Sequence, residues 1–315
     1  MIAVVVATYG RPALLTRLLR SLAPSRGVLR LFVVDNHPVP SARLVLAAEG
    51  WSDGTVIEPG ENTGTGGGVG LGMAAALRDP QVRHVLVADD DTVLSANAPE
   101  RLAAACDAHG AGCVVPLFDR EDGTLGWFPG LLNRAKWRVI KRPGVTAEDY
   151  LARCGEAPEP FTWSPWPAMV FSRAAIERIG FPRREIWYQG VDLDYVLRLT
   201  MELPGLLVPT VRCQHLPPHA QENRERWFYR ETSGLQNGFV IYVRSRHGWR
   251  AARHLPGNVF RYFQSVGWTP RALGAAALAA WWGLIRARPS GAPGFTYFKD
   301  RWTRAGETSS KNATA

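Results

Sequence analysis

Residues 84–91 read His-Val-Leu-Val-Ala-Asp-Asp-Asp, an apolar run that stops abruptly on three carboxylates. An uninterrupted run of this length, with no polar alternation, is the pattern of a strand covered on both faces. The same phrase recurs on the N-terminal side. Ile2–Ala7 is a β-branched run ending at Thr8-Tyr9-Gly10-Arg11-Pro12, and Leu31–Val34 ends at Asp35-Asn36. Pro12 suits the first turn of a helix through Leu22, Ser41–Ala48 a short helix, and Val56-Ile57 a third strand. Apolar strands separated by helices predict an α/β fold, a Rossmann-like, mostly parallel sheet flanked by helices. Ligands of such sheets bind beyond the carboxyl ends of the strands, where all three polar signatures fall.

Further along, Cys113–Leu117, Ala168–Phe171 and Leu206–Val211 read as strands, and Arg173–Ile179 and Val191–Leu203 as helices. The stretch 119–160, rich in Gly, Pro and charge, reads as irregular. Past His215 the chain turns to Arg- and aromatic-rich helical patterns at 224–242, 247–266 and 270–288. The expected organisation is a first domain at 1–215, a basic helical region at 216–305 and a disordered tail at 306–315.

Charge follows that division. The 315 residues carry a net +9, yet residues 1–215 hold 22 Lys/Arg against 23 Asp/Glu, whereas 216–315 hold 15 against 5. Of the 37 basic residues 33 are arginine, the side chain suited to phosphates and headgroups. Cys106, Cys113, Cys154 and Cys213 form no CxxC pair, which fits a reducing compartment. The N-terminal run lacks a basic n-region and reads as a buried strand rather than a signal peptide. No apolar stretch reaches the length of a membrane span; 272–285 comes nearest.

Four constellations carry chemistry. Adjacent carboxylates at Asp89-Asp90-Asp91 raise one another's pKa unless a cation joins them. In extended backbone Asp89 and Asp91 point the same way and can chelate Mg²⁺ or Mn²⁺ together. An acidic turn, or a cap for a helix near Pro99, is the plainer reading; the strand end favours metal. The stretch Asn62-Thr63-Gly64-Thr65-Gly66-Gly67-Gly68 permits close backbone approach to a ligand or simply a flexible turn before a helix at about 69–78. It supplies neither the G-x-G-x-x-G register of a dinucleotide fold nor a Walker lysine, which argues against a dehydrogenase. Asp192, in Gly190-Val191-Asp192-Leu193-Asp194, is either a helix cap or a general base supported by Asp194 and Arg198. His215 is a structural loop histidine or a ligand beside carboxylates, with Cys213 a softer alternative that a hard cation would not select.

In their order along roughly residues 2–245, these pieces resemble the inverting family 2 glycosyltransferases of GT-A fold. The carriers are VVVATYGR (4–11), VVDN (33–36), NTGTGGGVGLGM (62–73), ADDD (88–91), WPAMVFSR (166–173), QGVDLDYVLR (189–198), QHLP (214–217) and WFYRETSGLQNGFV (227–240). Within the family the likeness is greatest to cell-wall galactofuranosyltransferases of the initiating type, and next to rhamnosyltransferases. The resemblance implies a UDP- or dTDP-sugar donor, a glycan or lipid-linked acceptor, and Mn²⁺ or Mg²⁺. It implies that Thr8, Tyr9, Arg11, Asp89 and Asp90 meet the nucleotide and diphosphate, Asp35 the base, and Asn62, Gly66 and Gly67 the edge of the sugar-nucleotide. Asp89 and Asp91 would bind metal with His215, and Trp163 and Trp166 would face the acceptor. Asp192 would be the catalytic base, with Asp194 the alternative, because the usual acidic pair is here Val191-Asp192. The family's Asn-Gly in the acceptor strand is replaced by Trp166-Pro167-Ala168.

Two rivals remain on sequence grounds. A nucleic-acid-binding protein would use the basic region but leaves the aspartates without purpose, and a sugar nucleotidyltransferase shares the metal carboxylates. The resemblance turns the basic third towards the inner face of the cell membrane, with 271–288 as a peripheral contact or an oligomer helix. Nucleic acid is not expected as a partner.

Overall fold

The β-branched and apolar runs form one sheet. The computed structural model describes residues 1–37, 39, 41–126, 129–132, 135, 138, 142, 144–184, 186–216, 224–244 and 254–284. Its strands are β1 (Ile2–Thr8), β2 (Leu29–Asp35), β3 (Thr55–Ile57), β4 (His84–Asp89), β5 (Thr92–Leu94), β6 (Cys113–Asp119), β7 (Glu159–Phe161), β8 (Ala168–Ser172) and β9 (Gly205–His215). They lie in the order β3-β2-β1-β4-β8-β6-β9-β5, with β7 on β9. Strands β3, β2, β1 and β4 are parallel, as are β6 and β9. β8 runs antiparallel between β4 and β6. The result is the expected GT-A-type α/β fold. The register sets Thr8 opposite Asp35 and Ala7 opposite Asp89, so three strands end level and present their polar residues along one edge.

The helices are α1 (Pro12–Leu22), α2 (Ala42–Ala48), α3 (Gly64–Ala76), α4 (Ala98–Ala108), α5 (Ala147–Cys154), α6 (Arg173–Ile179), α7 (Val191–Thr200), α8 (Arg224–Arg244), α9 (Leu255–Val266) and α10 (Pro270–Leu284). In α1, Leu15, Leu18, Leu19 and Leu22 are buried at helical spacing, which makes one apolar stripe for the sheet. The "irregular" 119–160 region contains α5, closed by a Thr146/Asp149 capping box, and β7. Short elements of this kind have too little periodicity to show in sequence.

The largest departure is α3. The glycine stretch expected to be a turn is helical from Gly64 onward, five residues earlier than the pattern implied. Glycine is disfavoured in helices, so packing must outweigh propensity here. A Cβ on Gly68 would lie 2.9 Å from Ala7 Cβ, and one on Gly72 would run into Val5 Cγ1. These two positions, four apart and thus on one face, let the helix lie directly on β1. Gly72→Ala is expected to cost about 1–2 kcal/mol, overpacking reduced by the gain in helix propensity, read as a lower urea midpoint at unchanged slope.

The chain divides into two units, Met1–Pro182 with Asp192–Pro218 and Arg183–Val191 with His219–Ala315. The first holds the whole sheet. In the second, Leu235 and Phe239 of α8 form a core with Tyr262 and Phe263 of α9 and Ala272 and Ala279 of α10. The expected tail at 306–315, residues 247–253 of one expected helix and 285–288 of another lie outside the described residues. Among the described residues no helix is long and apolar enough to cross a membrane.

Candidate active site

The three aspartates fall at a reversal. Asp89 closes β4, and β5 begins at Thr92, so the triplet is a strand-to-strand turn. It does not cap the following helix, whose N-cap is Asn97 in a left-handed conformation. Both sides of the turn are pinned to one atom. The Asp89 amide and the Thr92 hydroxyl each donate to the Pro167 carbonyl at 2.9 Å. β5 then pairs antiparallel with β9, Thr92 opposite His215, and the Leu216 amide donates to the Asp91 carbonyl at 2.7 Å. Pairing therefore carries Asp91 to the last residue of a strand about 120 positions away.

Ligand atoms of Asp89, Asp91 and His215 lie within 4.8 Å of one another, the one such group among the described residues. His215 Nε2 is 3.2 Å from Asp91 Oδ1. Burial, then the neighbouring Asp91 charge, pushes the Asp89 carboxyl up to about 8. Burial also opposes ionisation of Asp91, but its bonds to His215 and the charge of Arg11 more than offset that and hold it below the usual range. Burial disfavours the charged imidazole, yet Asp91 and Asp89 raise the His215 pKa. A set of two carboxylates and an imidazole, clustered and largely buried, fits a hard divalent cation.

Around this group the first strand supplies the polar support. Thr8 Oγ1 donates to Asp90 Oδ2 at 2.6 Å, and Arg11 Nε to the same oxygen at 3.1 Å. Arg11 Nη2 pairs closely with Asp90 Oδ1, and Arg11 Nη1 donates to Asp91 Oδ2 at 2.8 Å. Asp90 is fully buried and anchors Thr8 and Arg11. Burial, only partly countered by Arg11, pushes its pKa up to about 6.

The nucleotide-side residues are tied into local turns. Asp35 accepts from the amides of His37 at 3.2 Å and Ala42 at 2.8 Å. Asn62 Oδ1 takes the Gly64 amide at 2.9 Å, and Asn36 Oδ1 takes the Thr63 amide at 2.9 Å and its hydroxyl at 2.7 Å. Gly66 and Gly67 are buried in the first turn of α3. Tyr9 stacks edge-on against His37, ring centroids 4.9 Å apart. Asn36 and His37 went unassigned in the sequence. Asn36 sits inside the quoted VVDN phrase, but its partner Thr63 is 27 residues away and no local pattern joins them.

Asp192 opens α7, where Oδ1 accepts from the Leu193 amide at 2.8 Å. Burial pushes its pKa up to about 6, against the lowering effect of the backbone amides. Its neighbour differs. Asp194 is buried and ion-paired to Arg198 at 3.0 Å, while Arg198 also donates to the carbonyls of Ile179 (3.1 Å) and Phe181 (3.3 Å). That pair braces the loop after α6.

Residues 3–156 match the family model "Glycosyl transferase family 2". This stretch is a family 2 glycosyltransferase domain. The whole chain is also similar in fold to S. aureus TarS 1–349, with TM-score 0.56 at 14% identity over 99% of this chain and 91% of that one. The same protein crystallised with UDP-GlcNAc gives TM-score 0.56 at 15% identity over 99% and 92%. GalNAc-T7, crystallised with UDP, GalNAc and Mn²⁺, gives TM-score 0.54 at 13% identity over 78% of this chain and 48% of its own. No curated protein sequence matches this one. The chain is a glycosyltransferase, and the family 2 domain contains Thr8, Arg11 and the three aspartates, whereas Asp192 and His215 lie C-terminal to the matched stretch.

The acceptor expectations part company. Trp163 is about a third exposed, its ring over Gly130, whereas Trp166 is buried among Phe171 and Tyr195, with centroids 6.2 and 5.9 Å away. Trp166 is packed as a core residue, because the strand it precedes is central in the sheet. Trp166→Ala is expected to destabilise the fold by about 3–5 kcal/mol in chemical denaturation, the cost of emptying a large buried site.

Proposed function

We propose that this glycosyltransferase moves a hexosyl group, of the galactofuranose or rhamnose class, from a UDP- or dTDP-sugar to a hydroxyl of a glycan or lipid-linked acceptor, with inversion. The carrying observation is the convergence of Asp89, Asp91 and His215 at the carboxyl edge of the sheet. When bound there, a Mn²⁺ or Mg²⁺ ion would supply Lewis-acid stabilisation of the departing diphosphate. Tyr9, Asp35, Asn62 and the first turn of α3 would form the nucleotide side, and Thr8, through Asp90, keeps Arg11 in reach of the phosphates.

Asp192 would accept the proton of the attacking hydroxyl. A carboxyl at about 6 is ionised at neutral pH yet basic enough to take a proton as the bond forms, which is the compromise general-base catalysis requires. Asp194, committed to Arg198, would position α7. The base works deprotonated, so kcat/KM is expected to fall as pH drops through about 6, checked by a pH–rate profile under metal saturation.

Trp163 would border the acceptor, and 271–288 would touch the membrane bearing a lipid-linked one. Within 270–284, Leu273, Ala277 and Trp281 share an exposed, uncharged helix face. The test is turnover across UDP-galactofuranose, dTDP-rhamnose and UDP-GlcNAc with lipid-linked glycan acceptors, with and without chelator. Metal-dependent release of nucleoside diphosphate from the first or second donor supports the reading. Use of UDP-GlcNAc alone would replace the sugar assignment, and pyrophosphate release would replace the reaction.

A further inference from the structure

We propose that Arg11 is an internal counter-cation that competes with a divalent cation for Asp91, so that the carboxylate gives up Arg11 when the cation binds. This rests on the metal centre proposed above and adds a competitor to it.

The guanidinium is shared between two carboxylates with unequal claims. Its Nε and Nη2 fork onto both oxygens of Asp90, the bidentate geometry in which arginine is held best. That carboxylate is buried, further fixed by Thr8, and has no route to solvent. Only the third nitrogen, Nη1, reaches Asp91 Oδ2 at 2.8 Å. The other oxygen of Asp91 faces His215 Nε2 at 3.2 Å. Both oxygens of a candidate ligand are thus already engaged, one by a full positive charge and one by a second candidate ligand. A dication at Asp89, Asp91 and His215 would meet that positive charge across a single carboxylate, in a site where like charges are poorly screened.

Asp90 keeps the fork in either case, so Arg11 need not leave the site. The guanidinium is planar and rigid, so a fork kept on Asp90 also holds Nη1 in place; it is the Asp91 carboxylate that rotates off Nη1 towards the cation, leaving that edge of the 36% exposed Arg11 side chain uncovered. An N–H released there would be available to an anionic group such as a diphosphate. Metal capture and phosphate recognition would then be linked through one side chain: the cation takes Asp91, and the freed guanidinium edge takes the phosphate.

The test measures Mn²⁺ alone, without nucleotide, by the loss of free-ion EPR signal at one fixed pH for all variants. Arg11→Gln is expected to bind Mn²⁺ at least about tenfold tighter than wild type. Because this variant also bares Asp90, Arg11→Gln/Asp90→Asn is the decisive comparison. It removes the competitor and the unpaired charge together, leaves local net charge as in wild type, and is expected to bind tighter still than wild type. Melting curves establish that each variant is folded. Mn²⁺ affinity in the double variant equal to or weaker than wild type overturns the proposal. Absence of Mn²⁺ binding in wild type even with saturating UDP sinks the metal centre itself, a separate failure.

Discussion

Asp192→Asn is expected to lower kcat by about a hundred- to ten-thousand-fold, the range that loss of a positioned general base produces. Nucleotide affinity should remain at the wild-type value. The amide keeps the size of the carboxylate and can still accept from the Leu193 amide, so α7 retains its first turn. It cannot accept a proton. The acid limb of the pH profile, placed at about 6 by burial of the Asp192 carboxyl, should vanish in the residual activity. Full turnover in the variant would move the base elsewhere. Asp194 is the poorer candidate, since its carboxylate is spent on Arg198 and removing it should lower stability along with activity.

Asp91→Ala should act on binding rather than on the proton. Asp91 is the hinge of the cluster, in contact with His215 on one oxygen and Arg11 on the other. Without it two ligands remain, and Mn²⁺ affinity is expected to fall more than about a hundredfold, beyond what loss of an outer-shell partner costs. Metal-dependent UDP binding should disappear with it, measured calorimetrically with Mn²⁺ and with chelator. UDP affinity that stays at the wild-type level in Mn²⁺ would show that Asp91 holds no metal. Removing the aspartate also leaves Asp89 with fewer like charges, so the fold should survive the change.

Much of this site was legible in the sequence because it follows from local grammar. Apolar runs stopping on Thr8, Asp35 and Asp89 placed three polar ends on one sheet edge, and the register later aligned them. Three things were not legible. The glycines of α3 resembled a turn because their purpose, clearance for Ala7 and Val5, lies on a strand some sixty residues earlier. The anchoring of Asp90 was not legible because Thr8 and Arg11, which hold its carboxylate, lie some eighty residues earlier in the chain. The burial of Trp166 was not legible because exposure cannot be read from residue type, and its neighbours Phe171 and Tyr195 come from a strand and a helix beyond it. His215 stood open in the sequence between a structural histidine and a ligand beside carboxylates; the pairing of β5 with β9 supplies the physical reason it stands beside Asp91.

The proposed reaction is one chemical event, attack of an acceptor hydroxyl on an anomeric carbon as a nucleoside diphosphate departs. The most direct test is NMR observation of a single turnover with Mn²⁺ and a nucleotide sugar, following phosphorus and the anomeric proton together. The account predicts stoichiometric nucleoside diphosphate and a glycoside of inverted anomeric configuration, both lost with chelator. Retention of configuration, or release of pyrophosphate in place of the nucleoside diphosphate, would contradict it.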